Sequence, residues 1–206
     1  ILCLLPNSAE MLTLLLACMK HGANFSVLPC NIVKDDFLDV YKNLNTKYVF
    51  FSDEINENLK KIINKKNYKK IGINDLSWLK NKSKKSFKLS KNTKPKIFLK
   101  TSGTTGDPKM MIIDANTLWK SGKHFIGTFN LKEQQTYWNF LPMSYLGGIF
   151  NLGLIPLSVG GNIIIDENFS GKTFLNFWNR VKQYKINVRN APLLIKESRG
   201  AIIAVE

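Results

Sequence analysis

The segment that decides the fold lies near the middle of the chain, where residues 97–109 read Ile-Phe-Leu-Lys-Thr-Ser-Gly-Thr-Thr-Gly-Asp-Pro-Lys. Its first part, Ile97–Lys100, is typical of a short buried strand. In the loop that follows, two glycines let successive backbone N–H groups turn toward one centre, four hydroxyl side chains add donors, and Lys109 adds a full positive charge. Such a concavity suits a polyphosphate. A solvated turn rich in small residues is the alternative interpretation.

Outward from this segment, short apolar runs alternate with amphipathic segments, which predicts an α/β fold with a largely parallel sheet. The predicted strands are Leu2–Leu5, Phe25–Leu28, Tyr48–Phe51, Lys70–Ile73, Ile97–Lys100, Met111–Ile113, Tyr137–Leu141, Asn162–Ile165 and Ile186–Val188. The predicted helices are Asn7–Lys20, Asp35–Leu44, Ile55–Asn64, Thr117–Phe129, Leu146–Val159 and Thr173–Tyr184. Asn7 and Glu10 resemble a capping box for the first helix, and Gly22 is expected to end it.

An uncharged stretch from Gln134 to Ile165 raises the question of a membrane span, because residues 146–165 are long enough to cross a bilayer. Pro156 and five glycines interrupt those twenty residues. Strand, helix and strand is therefore the better interpretation, with Gly160 and Gly161 ending the helix. No membrane span is predicted.

The charge is large but local. The 206 residues hold 30 basic and 15 acidic side chains, a net charge of +15. Residues 60–100 alone hold fifteen Lys against Asp75, and the rest of the chain sums to +1. The stretch is interpreted as a solvated, variable surface segment, and no specific nucleic-acid partner is predicted. The alternative is a basic module that binds nucleic acid, an anionic membrane surface or an acidic carrier protein.

The three cysteines form no CxxC pair. Cys18-x-x-His21 is the nearest approach to a metal motif, and the chain has only two histidines. We therefore predict buried, reduced thiols at Cys3, Cys18 and Cys30 and no metal site.

A second candidate nucleotide loop follows the strand at 162–165, where residues 166–173 read Asp-Glu-Asn-Phe-Ser-Gly-Lys-Thr. Asp166 stands where a Walker loop has its first glycine, and Asp166 and Glu167 would set two carboxylates beside an anion. The better interpretation is the N-terminus of a helix at Ser170 or Gly171.

The string TSGTTGDPK at 101–109 resembles the phosphate-loop signature of the adenylate-forming (AMP-binding) superfamily, which includes the acyl-CoA synthetases of fatty acid metabolism. Two further blocks, within residues 4–29 and 141–161, are similar to that family, so the resemblance covers roughly residues 2–188. The implied fold is that of the family's large N-terminal domain, with layered, largely parallel sheets and flanking helices. The chain departs from the family at Met110 (Gly in the family), at Asp114-Ala115 (Thr-His) and at Tyr145 (often His).

The resemblance implies an ATP-dependent ligase. A small-molecule carboxylate attacks the α-phosphate of Mg-ATP, and a thiol of coenzyme A or of a carrier pantetheine then takes the acyl group. The residues expected at the ATP phosphates are Thr101, Ser102, Gly103, Thr104, Thr105, Gly106 and Lys109, with Lys109 catalytic. Tyr145, Gly147 and Gly148 are expected in the substrate pocket, although a core role for Tyr145 is the open alternative.

The sequence also predicts how much of a longer protein these residues represent. The sequence opens on the apolar run Ile1–Leu5 without Met and shows no targeting segment, which is typical of a cytoplasmic protein. We expect residues 1–206 to be a partial N-terminal AMP-binding domain without the small C-terminal domain. Such a fragment is expected to be inactive alone.

Overall fold

The computed structural model describes residues 1–46, 48–65, 69–72, 94–100 and 110–186. The chain divides into two compact units, Ile1–Ala115 and Asn116–Glu206. Strands alternate with helices in both units. The predicted α/β fold class is therefore confirmed.

A six-stranded sheet organises the first unit. Its strands are β1 (Leu2–Leu4), β2 (Phe25–Val27), β3 (Tyr48–Phe51), β4 (Lys69–Gly72), β5 (Lys96–Lys100) and β6 (Met110–Asp114), in the order β4-β3-β1-β2-β5-β6. The first five strands run parallel, and β6 is antiparallel to β5. In the register, Cys3 of β1 lies opposite Val27 on one side and Phe50 on the other.

Helices α1 (Ala9–His21), α2 (Lys34–Leu44) and α3 (Glu57–Lys65) connect the parallel strands. Helix α1 begins at Ala9, later than predicted, because its N-cap is Ser8 rather than Asn7, and the Ser8 hydroxyl accepts a hydrogen bond from the Met11 N–H at 3.3 Å. It ends as predicted at Gly22, whose φ of 71° suits a residue without a Cβ.

The core of this unit is mainly aliphatic. On α2, Phe37 and Val40 are buried, while Tyr41 and Leu44 pack at the edge of the same cluster, because a spacing of three or four residues places them on one face of the helix. The cluster is formed by Leu2, Leu4, Leu28, Ile32, Phe37, Val40, Val49, Ile55, Leu59 and Ile63. It thus brings together side chains from both the helices and the parallel strands.

All three cysteines are free thiols. Cys3 and Cys18 are buried as predicted, whereas Cys30 is partly exposed. Burial raises the pKa of the Cys3 thiol. Burial also raises the pKa of Cys18 to about 11 and that of Cys30 to about 11. The thiols are therefore protonated and unreactive near neutral pH.

The second unit opens with α4 (Ala115–Phe129), which begins at the last residue of the first unit. A parallel pair of strands follows, β7 (Thr136–Asn139) and β8 (Asn162–Ile165). A π-helix (Gly147–Leu154) and the short α5 (Ile155–Ser158) connect them. The predicted strand, helix and strand are confirmed, and Gly160 turns the chain after the helix with a φ of 76°.

In the part of the chain that the structure describes, we find no helix both long and apolar enough to cross a membrane. The helix predicted at 173–184 is two helices, α6 (Gly171–Leu175) and α7 (Phe177–Gln183), separated by a turn at Asn176. The strand predicted at 186–188 is not formed at Ile186, and its other residues lie outside the described ranges.

The core around β7 is aromatic. The ring centroid of Trp138 lies 4.9 Å from that of Phe140 and 5.0 Å from that of Phe177. Val181 and Ile186 complete the cluster. Tilted rings at these separations add directional contacts to the burial of apolar area.

Candidate functional site

The predicted phosphate loop connects two strands that pair with each other. Lys100, the last residue of β5, lies opposite Met110, the first residue of β6. The predicted phosphate residues Thr101, Ser102, Gly103, Thr104, Thr105, Gly106 and Lys109 lie between them, outside the described residues. The structure therefore places Lys100 and Met110, which flank the segment, at the carboxyl end of β5. The roles of the residues between them stay predictions.

An ion pair ties the base of this segment to helix α2. The Lys100 Nζ lies 2.6 Å from the Asp36 Oδ2, and the Lys100 side chain is only 16% exposed. Asp36 lies in the first turn of α2, directly after β2, which pairs with β5. This pair was not predicted from the sequence, because the pairing of β2 with β5 is not apparent from the spacing.

A cavity of about 300 Å³ lies where β1 and β3 end. Its lining includes Ser8, Glu10, Ser52, Asp53 and Glu54. The chain passes from β1 to β2 on one side and returns to β3 on the other, and open α/β sheets commonly place ligands at such a point. Three carboxylates make this cavity unsuited to a polyphosphate, and it was not predicted from the sequence.

No group of three or more His, Cys, Asp or Glu that could hold a metal ion occurs within the described ranges. This holds at the cavity beside β1 and β3 and at the Cys18 and His21 pair.

Tyr145 lies on the surface of the second unit. Its side chain is 42% exposed, so it is not a core tyrosine. Its N–H donates to the Pro142 carbonyl at 3.1 Å, and its own carbonyl accepts from the Ile149 N–H at 3.1 Å. These two bonds hold Tyr145 on the turn that leads into the π-helix. Its assignment to the substrate pocket stays a prediction.

Gly147 and Gly148 begin the π-helix, and close packing explains why both lack side chains. A Cβ on Gly148 would lie 2.4 Å from the Pro142 carbonyl oxygen, and one on Gly147 would lie 3.2 Å from Leu141 Cδ1. The Gly148 carbonyl accepts a hydrogen bond from Asn139 Nδ2 at 2.9 Å. Because π-helical turns are frequent at functional sites, this helix start is a candidate wall of a binding pocket.

The Walker-like segment at 166–173 is engaged in local structure. The Arg180 guanidinium binds both Asp166 and Glu167, and the Trp138 indole N–H donates to Asp166 at 3.2 Å. Although burial alone would raise the pKa of the Asp166 carboxyl, the hydrogen bonds and charge of Arg180 hold it below its ordinary value. This segment is a poor phosphate-binding site, because it presents two carboxylates and its nearby Arg180 is already paired with both.

The same segment contains the helix start that the sequence indicated. The Ser170 hydroxyl accepts from the Thr173 N–H at 3.3 Å, and the Thr173 hydroxyl oxygen accepts from the Ser170 N–H at 2.6 Å. This reciprocal pair caps α6 at Ser170.

Comparison with known proteins gives a clear match at the level of the family. A family profile described as "AMP-binding enzyme" matches residues 1–192. Comparison with curated proteins gives no match.

Several solved structures share the fold. The N-terminal domain of FACL13 from Mycobacterium tuberculosis, bound to an inhibitor, is 16% identical with a TM-score of 0.75, over 90% of this chain and 47% of that one. ATP-bound MatB from Rhodopseudomonas palustris is 18% identical with a TM-score of 0.72, over 87% and 37%. The o-succinylbenzoate CoA synthetase MenE from Bacillus subtilis, with the acyl-adenylate OSB-AMP, is 18% identical with a TM-score of 0.70, over 98% and 52%. The chain thus spans about half or less of each of these three proteins.

Proposed function

Because the chain belongs to the family of AMP-binding enzymes, we propose that it serves an ATP-dependent ligase reaction that activates a carboxylate. In the first step, an oxygen of the substrate carboxylate attacks the α-phosphate of Mg-ATP, and pyrophosphate leaves. In the second step, a thiol of coenzyme A or of a carrier pantetheine attacks the acyl carbon, and AMP leaves. MatB and MenE, whose structures hold ATP and an acyl-adenylate, share the fold and support both the nucleotide and the intermediate.

Residues 101–109 are proposed to hold the β- and γ-phosphates. The observation that carries this proposal is the match of the family profile across a string that directly follows a buried parallel strand. In this role the hydroxyls and backbone N–H groups stabilise charge as pyrophosphate departs, and Lys109 neutralises part of it. Electrostatic stabilisation of this kind is usually the largest single catalytic contribution.

The carboxylate pocket is proposed to lie beside Tyr145, Gly147 and Gly148. The exposure of Tyr145 supports this placement, because an aromatic side chain at the surface is available to a ligand. The start of the π-helix presents backbone rather than side chains next to it. A small-molecule carboxylate is the proposed substrate class, with coenzyme A or an acyl carrier protein as the acceptor.

Binding of Mg-ATP tests the proposal. We expect Lys109→Met to weaken binding of a fluorescent ATP analogue about tenfold or more, since a hydrogen bond to a charged group contributes about 1.5–3 kcal/mol. Lys96→Met is the matched control, because Lys96 is exposed at the opposite end of β5. It should change the affinity less than about twofold. Equal loss in both variants, or no binding by the parent chain, would contradict the proposed role of Lys109.

Among the described residues, no structural observation favours the alternative of a basic binding module. Lys60 pairs with Glu57 at 2.9 Å and Lys100 pairs with Asp36. Lys residues within 66–68 and 73–93 lie outside the described ranges. Nucleic-acid retention that persists well above physiological salt would favour this alternative, because nonspecific polycation binding is lost at modest salt.

A further inference from the structure

Asn139, the last residue of β7, is completely buried. Its Nδ2 donates a hydrogen bond to the Gly148 carbonyl at 2.9 Å. Its Oδ1 is also buried and has no hydrogen-bond partner among the described residues. Asn139 therefore uses only the donor end of its amide.

It is unfavourable to bury an amide when only one of its two polar ends forms a hydrogen bond. A buried acceptor without a donor loses its hydration and gains nothing in return. An apolar side chain of similar size, such as leucine, would avoid this cost. The presence of asparagine at this position is thus explained by its donor end, which is the bond to Gly148.

The hydrogen bond from Asn139 joins a turn that two other sets of contacts also hold in place. Gly148 packs against the Pro142 carbonyl so closely that a Cβ does not fit. Tyr145 donates its N–H to the same carbonyl and accepts from Ile149. The Asn139 side chain adds a hydrogen bond from the strand to the turn, at the second residue of the π-helix.

We infer that Asn139 is a positioning residue for the proposed carboxylate pocket: its amide fixes the first turn of the π-helix and thereby sets the position of Tyr145. A π-helix is rarer than an α-helix and needs contacts that select it. The bond from Asn139 to Gly148 is such a contact, and it lies three residues from Tyr145. The functional meaning of this inference rests on the proposed function, whereas the placement of Tyr145 does not.

Fluorine NMR tests the inference directly. The chain contains six tyrosines, so 3-fluorotyrosine labelling gives six signals, and Tyr145→Phe identifies the one of interest. In Asn139→Leu, we expect the Tyr145 signal to shift or broaden while the signals of Tyr41 and Tyr48, in the first unit, stay in place. Asn162→Leu, at an exposed position of β8, is the matched control and should leave the Tyr145 signal unchanged. A folded Asn139→Leu protein with an unchanged Tyr145 signal would overturn the inference, even if its stability had fallen.

A measurement on the parent chain covers the case in which Asn139→Leu does not fold. If Asn139 Nδ2 holds Gly148, one of its two side-chain amide protons must exchange with solvent much more slowly than those of Asn162. Equally fast exchange at both side chains would overturn the inference. Binding of Mg-ATP is measured on the same sample, so failure of the proposed function, seen as no binding, is separated from failure of the role given to Asn139.

Discussion

The two units of the molecule build their cores in different ways. In Ile1–Ala115, aliphatic side chains from the parallel strands and from the buried faces of amphipathic helices fill the interior. In the second unit, Trp138, Phe140 and Phe177 pack as tilted rings, and glycines allow backbone and side chains to approach closely. The stability of the first core depends on the volume of its aliphatic side chains. The stability of the second core depends on specific contacts between aromatic rings and at glycines.

Because the two cores differ, the substitutions that lower stability most should differ between the two units. An aliphatic core responds in proportion to the volume removed, because the remaining side chains relax only in part. A core that depends on a missing Cβ responds instead to volume added. Substitutions that remove atoms in the first unit and add atoms in the second therefore test the contrast.

The largest effect is expected from Phe37→Ala. Phe37 is fully buried in the first unit, so truncation leaves a cavity and should lower the free energy of unfolding by about 4 kcal/mol. Urea unfolding followed by circular dichroism measures this change. Leu175→Ala is the control, since Leu175 is 82% exposed and its loss should change stability by less than about 0.5 kcal/mol. Similar losses in both variants would contradict the contrast between the core and the surface.

Gly148→Ala should come next, with a loss of about 3 kcal/mol, because the added methyl meets a backbone carbonyl that cannot rotate away. Gly127 is the matched glycine, in helix α4, with nothing within 4 Å of a Cβ placed there. Gly127→Ala should stabilise the protein by about 0.5–1 kcal/mol. Thermal unfolding of both variants measures the pair. A tolerated alanine at 148 would mean that the turn at Leu141–Pro142 moves freely.

Substitutions at helix N-caps should cost similar stability in the two units, because a cap acts locally and does not depend on the type of core. Ser8→Ala removes the acceptor for the Met11 N–H, and Ser170→Ala removes the acceptor for the Thr173 N–H. Each should cost about 1 kcal/mol in urea unfolding. The matched variants Ser8→Asp and Ser170→Asp keep an acceptor and should retain most of the stability. A cap that matters in only one unit would show that the contrast extends beyond the cores.

The smallest effect is expected from Asp166→Asn, at less than about 1 kcal/mol near neutral pH, because the ion pair with Arg180 is partly exposed. The pKa of Asp166 is lowered in the folded protein from an ordinary 3.8, so its contribution is complete above that pH. The contribution should disappear as the pH falls through the lowered value. Urea midpoints of both proteins at pH 7 and pH 3 measure it.

Arg180→Met provides the control for this pH dependence. In that background, the pH-dependent difference produced by Asp166→Asn should be smaller, because only the hydrogen bonds from the Glu167 N–H and the Trp138 indole still favour the carboxylate. A difference that is the same at pH 7 and pH 3 in the parent chain would contradict the role assigned to Arg180.

Periodicity predicted most of the first unit. Strands β1, β3 and β5 and helix α2 lie within one or two residues of their predicted bounds, because each has a clear apolar pattern. The start of α1 was misplaced because Asn7 and Ser8 are both good capping residues, and only the geometry at Met11 decides between them. The antiparallel pairing of β6 with β5 was not predicted from the sequence.

The second unit shows what a pattern cannot predict. A helix from residue 146 was predicted, yet the apolar, glycine-containing run carries no signal that distinguishes a π-helix from an α-helix. That choice depends on contacts that single-sequence periodicity does not encode, such as the packing of Gly148 on Pro142 and its bond to Asn139. For the site, the motif at 101–109 could be recognised from the string alone, whereas the Lys100 and Asp36 pair required the order of the strands.

The pairing of Lys100 with Met110 closes a loop of nine intervening residues onto one rung of the sheet. Closure entropy grows slowly with loop length, so doubling that length would cost only about 0.6 kcal/mol. Insertions between these two residues should therefore be nearly neutral for folding even where they abolish the proposed phosphate binding. At this point in the chain, the capacity to fold and the proposed capacity to recognise a phosphate are free to evolve independently.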